Sequence, residues 1–339
     1  MTQNYDKLPQ DAFTRIPRDT QEAEKISKPS VSFWQDAWRS LKKNKGAILS
    51  LILFGLIVLM SFLGPVISPY EPNDQTITHA NLPPKIPVIE NLGIMDGVGT
   101  LGGRQVDLYE MKNVEQNYWF GTDGLGRDMF SRVWKGTQVS LFIAFVAAAI
   151  DMLIGVIYGG ISGYFGGRVD DVMQRIVEIL TGIPNLVVVI LFILIMDPGI
   201  LAIIIALTIT GWTGMSRVVR GQVLKYKSQE FVLAARTLGA SDTRIIWKHL
   251  MPNVLGVIII NTMFTIPGAI FFEAFLSFIG LGLQAPDASL GTLINDGYKL
   301  IQYQPHILLF PAVVLSLIMI AFNLIGDGLR DALDPKMKD

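Results

Sequence analysis

The sequence predicts an all-α membrane protein with six transmembrane helices. Half of the 339 residues are hydrophobic and only 17% are charged. The mean hydropathy is +0.43, and the apolar residues gather into stretches close to the ~20 residues that a helix needs to cross a hydrocarbon core. The net charge of -1 gives no whole-chain electrostatic basis for nucleic-acid binding. The chain has no cysteine, which excludes disulfides, thiolate nucleophiles and cysteine-ligated metal clusters.

Residues 1–30 are polar and mixed in charge, so no cleavable signal peptide is expected and the segment reads as a loose cytoplasmic tail. Over 31–46, Val31, Trp34, Ala37, Trp38 and Leu41 recur at helical spacing, while Gln35, Asp36, Arg39, Lys42 and Lys43 take the other side. This pattern predicts an amphipathic helix in the membrane interface, in contact with lipid. The alternative is a helix packed on other protein.

The first span is expected over 47–67, and 68–138 forms an extracytoplasmic segment rich in Pro, Gly and Asn. That segment exceeds a simple turn, so it either folds into a cap or meets a partner. Its closing run, Tyr118-Trp119-Phe120, suits an aromatic belt. The core, 139–328, carries spans near Val139 to Gly163, Ile176 to Met196, Gly199 to Met215, Val254 to Leu281 and Ile307 to Ile325. Asp197-Pro198-Gly199 breaks the third from the fourth as a tight hairpin. Residues 329–339 form the C-terminus.

Basic residues near span ends stay in the cytoplasm, and that rule puts both termini inside. Arg39, Lys42, Lys43 and Lys45, the Arg168/Arg175 turn, the segment 216–251, and Arg330, Lys336 and Lys338 then share one side. The opposite orientation would expose Arg217, Arg220, Lys225, Lys227, Arg236, Arg244 and Lys248 outside.

Within 216–251, Ser228 is placed to cap a helix, with Glu230 in the first turn complementing the helix dipole. Phe231, Ala234, Ala235 and Leu238 fall on one face, with Arg236 beside them. Gly239 suits the left-handed residue that ends a helix, and after Ala240 the pair Ser241-Asp242 starts a second one expected to stop at Pro252. A helix, a bend and a helix would present a small-residue apolar face. Patterning leaves open whether it docks on a partner or packs on its own bundle.

Among acidic residues in spans, Asp151 and Glu273 lie deepest, and Asn261 is treated with them. They either line a translocation path or hydrogen-bond between helices to hold packing. Catalytic readings are weaker. Gly160-Ile-Ser-Gly163 spells an intramembrane serine protease pattern, but His79, His249 and His306 are all expected in loops or at span ends. No His-Glu-x-x-His and no Gly-Lys dipeptide occur, so neither a zinc protease nor a phosphate-binding Walker A loop is present. No site residue is expected to be catalytic or to ligate metal.

The segment Glu230 to Pro252, with Ala234, Ala235, Gly239 and Pro252 at fixed spacing, resembles the cytoplasmic EAA loop of ABC importer permeases. A second block, Trp119 to Leu141 with Gly-Thr-Asp-x-x-Gly-Arg-Asp at Gly121 to Asp128, resembles the C-type permease subunit of oligopeptide and dipeptide importers. Phe33-Trp34 and Leu276 to Gln284 match as well.

The resemblance implies a type I ABC importer permease fold and ATPase coupling through Glu230, Ala234, Ala235, Arg236, Leu238, Gly239, Ala240, Ser241 and Asp242. It implies a homologous B-type permease, two ABC ATPase subunits that bind the ATP and Mg, and an extracytoplasmic peptide-binding protein as partners. No cofactor is expected on this chain, nor any nucleic acid. Related permeases carry dipeptides, nickel, opines or glutathione, and a secondary transporter is the alternative of another class. That class uses broken spans in paired repeats, and no repeat is evident here.

Overall fold

A computed structural model describes residues 32–333 apart from 88, 102 and 103. The tail over 1–30, Val31, Lys336 and Lys338 lie outside the described residues. Helix α1 (Phe33–Lys43) and helix α2 (Lys45–Ile67) meet at Asn44, whose side chain accepts from the Ala47 amide at 3.1 Å. On α1, Leu41 is buried with Ala47 and Ala332, while Trp34 and Trp38 are 58% and 50% exposed. The helix therefore rests on protein through Ala37 and Leu41, with the tryptophans of the same apolar stripe left partly exposed.

Residues 68–128 fold into a cap. A hairpin of β1 (Val98–Leu101) and β2 (Arg104–Asp107), paired Val98 to Asp107, leads into α3 (Leu108–Lys112), which Asp107 caps. This hairpin departs from the all-helical expectation, because a four-residue run interrupted by glycine is a poor helix former. Leu82, Tyr109, Val114 and Tyr118 form the cap's own core. The aromatic run is packed inside protein: Tyr118 is buried and stacks on Tyr70 at 4.4 Å, and Phe120 stacks on Phe310 at 3.9 Å.

The cap ends in the Gly121 to Asp128 block. Gly121 and Gly126 both take positive φ, at 76° and 74°. Asp123 accepts from the Leu125 and Arg127 amides at 2.9 and 3.0 Å and pairs with Arg127 Nε at 2.7 Å. Asp128 caps the next helix through the Phe130 and Ser131 amides and accepts from Ser68 Oγ at 2.8 Å. Burial pushes its carboxyl above the usual range, and these donors oppose the shift.

Helix α4 (Met129–Phe165) then runs 37 residues, roughly 55 Å at 1.5 Å per residue. It is followed by α5 (Gly167–Gly182), α6 (Asn185–Ile195), α7 (Ile200–Tyr226), α8 (Glu230–Thr237), α9 (Asp242–Phe278), α10 (Leu290–Lys299) and α11 (Pro305–Leu333). Helices α2, α4, α7, α9 and α11 are each long and apolar enough to cross a membrane.

The third expected span, 176–196, is not one helix. Helices α5 and α6 bend by 79° at a short break. Pro184 has no amide proton and holds Ile183 extended (φ -89°, ψ 128°), which ends α5. Helix α5 carries Asp170, Asp171, Arg175 and Glu178, leaving the 11 residues of α6 as the apolar part. Counted as one bent span, the pair brings the total to six.

The helices also run past the expected span limits. Helix α7 continues through 216–226, and α9 passes straight through Pro252. A wide turn over Ile245–Leu250, where the Met251 amide reaches the Ile246 carbonyl, precedes the proline. This widening falls where Pro252 lacks a donor, so the helix continues where proline in a regular turn would break it.

The centre of the bundle is the face-to-face packing of α4 and α7. A Cβ on Gly155, Gly159 or Gly163 would lie 2.6 Å from Met215 Cβ, 2.3 Å from the Ser216 carbonyl and 2.9 Å from the Arg220 carbonyl. The four-residue glycine spacing on one helix lets the two backbones nearly touch.

Candidate coupling site

Helix α8 hangs between the ends of α7 and α9. Its N-cap position is Gln229, not Ser228, and no side chain caps it. Lys227 redirects the chain by donating from Nζ to the Gly163 carbonyl at 2.9 Å, tying the loop to the end of α4. Glu230 lies in the first turn as expected.

The C-terminus of α8 closes by main-chain geometry. The Ala240 amide donates to the Ala235 carbonyl and the Gly239 amide to the Arg236 carbonyl, both at 3.0 Å, with Gly239 at φ 79°. This pair of bonds is a Schellman closure, which needs a left-handed residue at the glycine position. Nothing lies within 4 Å of a Cβ built on Gly239, so the demand there is conformational and not steric. Ser241 Oγ then accepts from the Arg244 amide and starts α9.

One side of α8 is anchored and the other is bare. Val232 is fully buried in a cluster with Val219, Val223, Ile245 and Leu250. Phe231, Leu233 and Leu238 are 40%, 47% and 87% exposed. Ala234 is exposed between them, and Ala235 is half-buried. A helix of this size with one inward residue leaves most of its apolar area facing outward.

Polar ties join α8 to the rest of the bundle. Tyr164, at the end of α4, donates from its hydroxyl to Asp242 Oδ1 and accepts from Arg236 Nη2 at 3.2 Å, with the Arg236 guanidinium 5.5 Å from the ring centroid. Tyr164 thus brings Arg236 and Asp242 together, and neither it nor Val232 stood out in sequence. A bidentate pair between Arg220 and Asp170 (2.6 and 2.5 Å) fastens α7 to α5. Ser162 donates to the same carboxylate and accepts from Gln174 at 3.0 Å. The serine of the protease-like pattern is therefore spent on helix packing, and no histidine is among its partners.

The other residues singled out in sequence stand apart. Glu273 is fully buried and accepts from Ser140 and Ser277, each at 2.8 Å. Asn261 donates to Met215 Sδ at 3.6 Å. Asp151 lies against Gly211 on α7, and its Oδ1 has no hydrogen-bond partner among the described residues. No hydrogen bond joins the three among the described residues.

Residues 152–339 match the family described as the binding-protein-dependent transport system inner membrane component. The chain belongs to that family. Residues 32–84 of this permease also match the N-terminal membrane domain of oligopeptide transport permease C. It is similar to the dipeptide transport system permease protein of Bacillus subtilis, 47% identical across 99% of this chain and 96% of that one. To the oligopeptide transport system permease protein of the same organism it is 44% identical, across 98% and 99%. Among solved structures, an inward-facing MetNI methionine ABC transporter aligns with a TM-score of 0.51 at 20% identity, over 60% of this permease and 97% of that chain. That likeness shows a shared fold. With its long apolar helices, the permease is a multi-pass integral membrane protein.

Proposed function

We propose that this permease is the C-type subunit of an ATP-driven importer that carries oligopeptides or dipeptides across a bacterial cell membrane. The observation that carries the coupling role is α8: a short helix held by Val232, Tyr164 and Lys227, with Phe231, Ala234 and Leu238 turned outward. An apolar face held this firmly favours docking on another protein over packing on its own bundle.

In this reading both termini are cytoplasmic, the bent pair counts as the third of six spans, and the cap at 68–128 is extracytoplasmic. Two ATPase subunits bind ATP and Mg and grip α8. A homologous permease completes the pathway, and a binding protein delivers peptide to the capped side. This chain performs no catalysis. ATP-driven closure of the ATPase pair would move α8 as a rigid body, and its ties to α4, α7 and α9 would pass that motion to the spans.

Affinity purification of the chain from membranes in mild detergent tests the assembly. ATPase subunits and a second permease should copurify, and proteoliposomes of the assembly with the binding protein should import labelled peptide under ATP. Recovery of the chain alone would refute the reading.

A further inference from the structure

The turn in the Gly121 to Asp128 block delivers Arg127 to a cavity that the coupling role does not use. Arg127 and Arg132 are only 6% and 3% exposed, and both line a space of about 250 Å3 closed by the 280–287 loop and α10. Arg127 gives its Nε to Asp123, and its Nη1 has no hydrogen-bond partner. Arg132 directs Nη1 at the Pro72 and Pro286 carbonyls and Asn73 Oδ1, at 3.0, 3.5 and 3.4 Å. Its Nε, 3.7 Å from Asp123 Oδ2, has no hydrogen-bond partner. A single carboxylate thus serves two buried guanidinium groups.

Lys299 and the exposed carboxylates of Asp287 and Asp296 stand on the same lining, and none of the three forms an ion pair among the described residues. A buried cation short of partners is costly, and a ligand that brings the missing charge relieves the cost. Arg127, Arg132 and Lys299 balance Asp123, Asp287 and Asp296. A plain anion would meet the two outer carboxylates, whereas a zwitterion satisfies both signs.

We propose that this cavity binds the free ends of a short peptide, the carboxylate toward Arg127 and Lys299 and the ammonium toward Asp287 and Asp296. Termini are the groups that every peptide shares, so a site for them accepts varied side chains while still distinguishing peptide from other solutes. Arginine supplies the planar donors that suit a carboxylate. The inference rests on the peptide-import reading above and adds a recognition site on this chain.

The test uses the complete importer in proteoliposomes, with its binding protein preloaded in turn with Ala-Ala, N-acetyl-Ala-Ala and Ala-Ala amide. Because the binding protein is the same throughout, a change in uptake ratio between wild type and variant reports on the permease. The Asp287→Asn/Asp296→Asn variant should lower the uptake ratio of Ala-Ala to N-acetyl-Ala-Ala about tenfold and leave its ratio to the amide unchanged. Lys299→Gln should do the reverse. These residues are at the surface, so the variants avoid the misfolding that Arg127→Met risks by stranding Asp123; Arg127→Lys should weaken the preference over the amide. Unchanged ratios overturn the assignment. So does equal slowing of all three peptides, the signature of a surface that docks the binding protein. If the wild type imports no peptide under ATP, the importer reading itself fails, and the cavity assignment with it.

Discussion

Gly239→Val is the sharpest perturbation of the coupling helix. Gly239 has φ 79° and donates one of the two main-chain bonds that close α8, the Ala240 amide donating the other. A left-handed conformation costs an L-residue roughly 1–2 kcal/mol, and a β-branched residue is disfavoured further. If the chain instead opens the closure to relieve that strain, two main-chain bonds worth about 0.5–1.5 kcal/mol each are lost. Either way the local cost is about 1–3 kcal/mol, roughly a fivefold to 150-fold shift away from the closed helix end.

The bundle should stay folded, since a Cβ at this position meets nothing within 4 Å. The assay is ATP hydrolysis stimulated by loaded binding protein, measured alongside peptide uptake in proteoliposomes. Gly239→Val should reach the membrane in normal amount but lose coupled uptake, whereas Gly239→Asn, which tolerates the left-handed region, should keep most of it. Wild-type coupled uptake by the valine variant would refute the reasoning.

Val232→Ala removes two buried methyl groups, about 1.6 kcal/mol before any cavity term, and should speed hydrogen exchange over 228–242 with little change in the cap. In the Arg220–Asp170 pair, alanine at either position should lower the thermal midpoint, and a double-mutant cycle should return about 1 kcal/mol of coupling, discounted because the Arg220 side chain is 31% exposed. Gly159→Leu drives a side chain into the Ser216 carbonyl, 2.3 Å from the first added carbon, and should abolish recovery of the folded chain by size-exclusion chromatography; Gly214→Leu, where nothing lies within 4 Å, should be tolerated.

Much of the coupling segment is legible in sequence because its determinants are local. Glu230 in a first turn, a left-handed glycine at 239 and Ser241 as a cap depend on neighbours a few residues away. The misreadings share the opposite origin. Pro252 forbids a regular helix, but the widened turn before it depends on how Ile245 and Leu250 pack into the bundle. The third span looks continuous by hydropathy, yet the break at Ile183 and Pro184 splits it into α5 and α6, bent by 79°. Tyr118 reads as interfacial by composition and is buried because Tyr70, 48 positions away, stacks on it.

By itself the sequence determined the membrane class, the positions of most apolar helices, the lack of nucleotide and catalytic motifs, and the left-handed helix end at Gly239. Hydrophobic run length, capping and turn chemistry act within a few residues and need no tertiary contact. The tertiary structure alone decided that Val232 faces in while Phe231 and Leu238 face out, that Tyr164 joins Arg236 to Asp242, and that Arg127 and Arg132 share one carboxylate beside a cavity. The Tyr164 ties span 78 and 72 positions and depend on how α4 packs in the bundle, which a linear pattern does not encode; Asp123, Arg127 and Arg132 are near in sequence, and the folded turn decides that they meet.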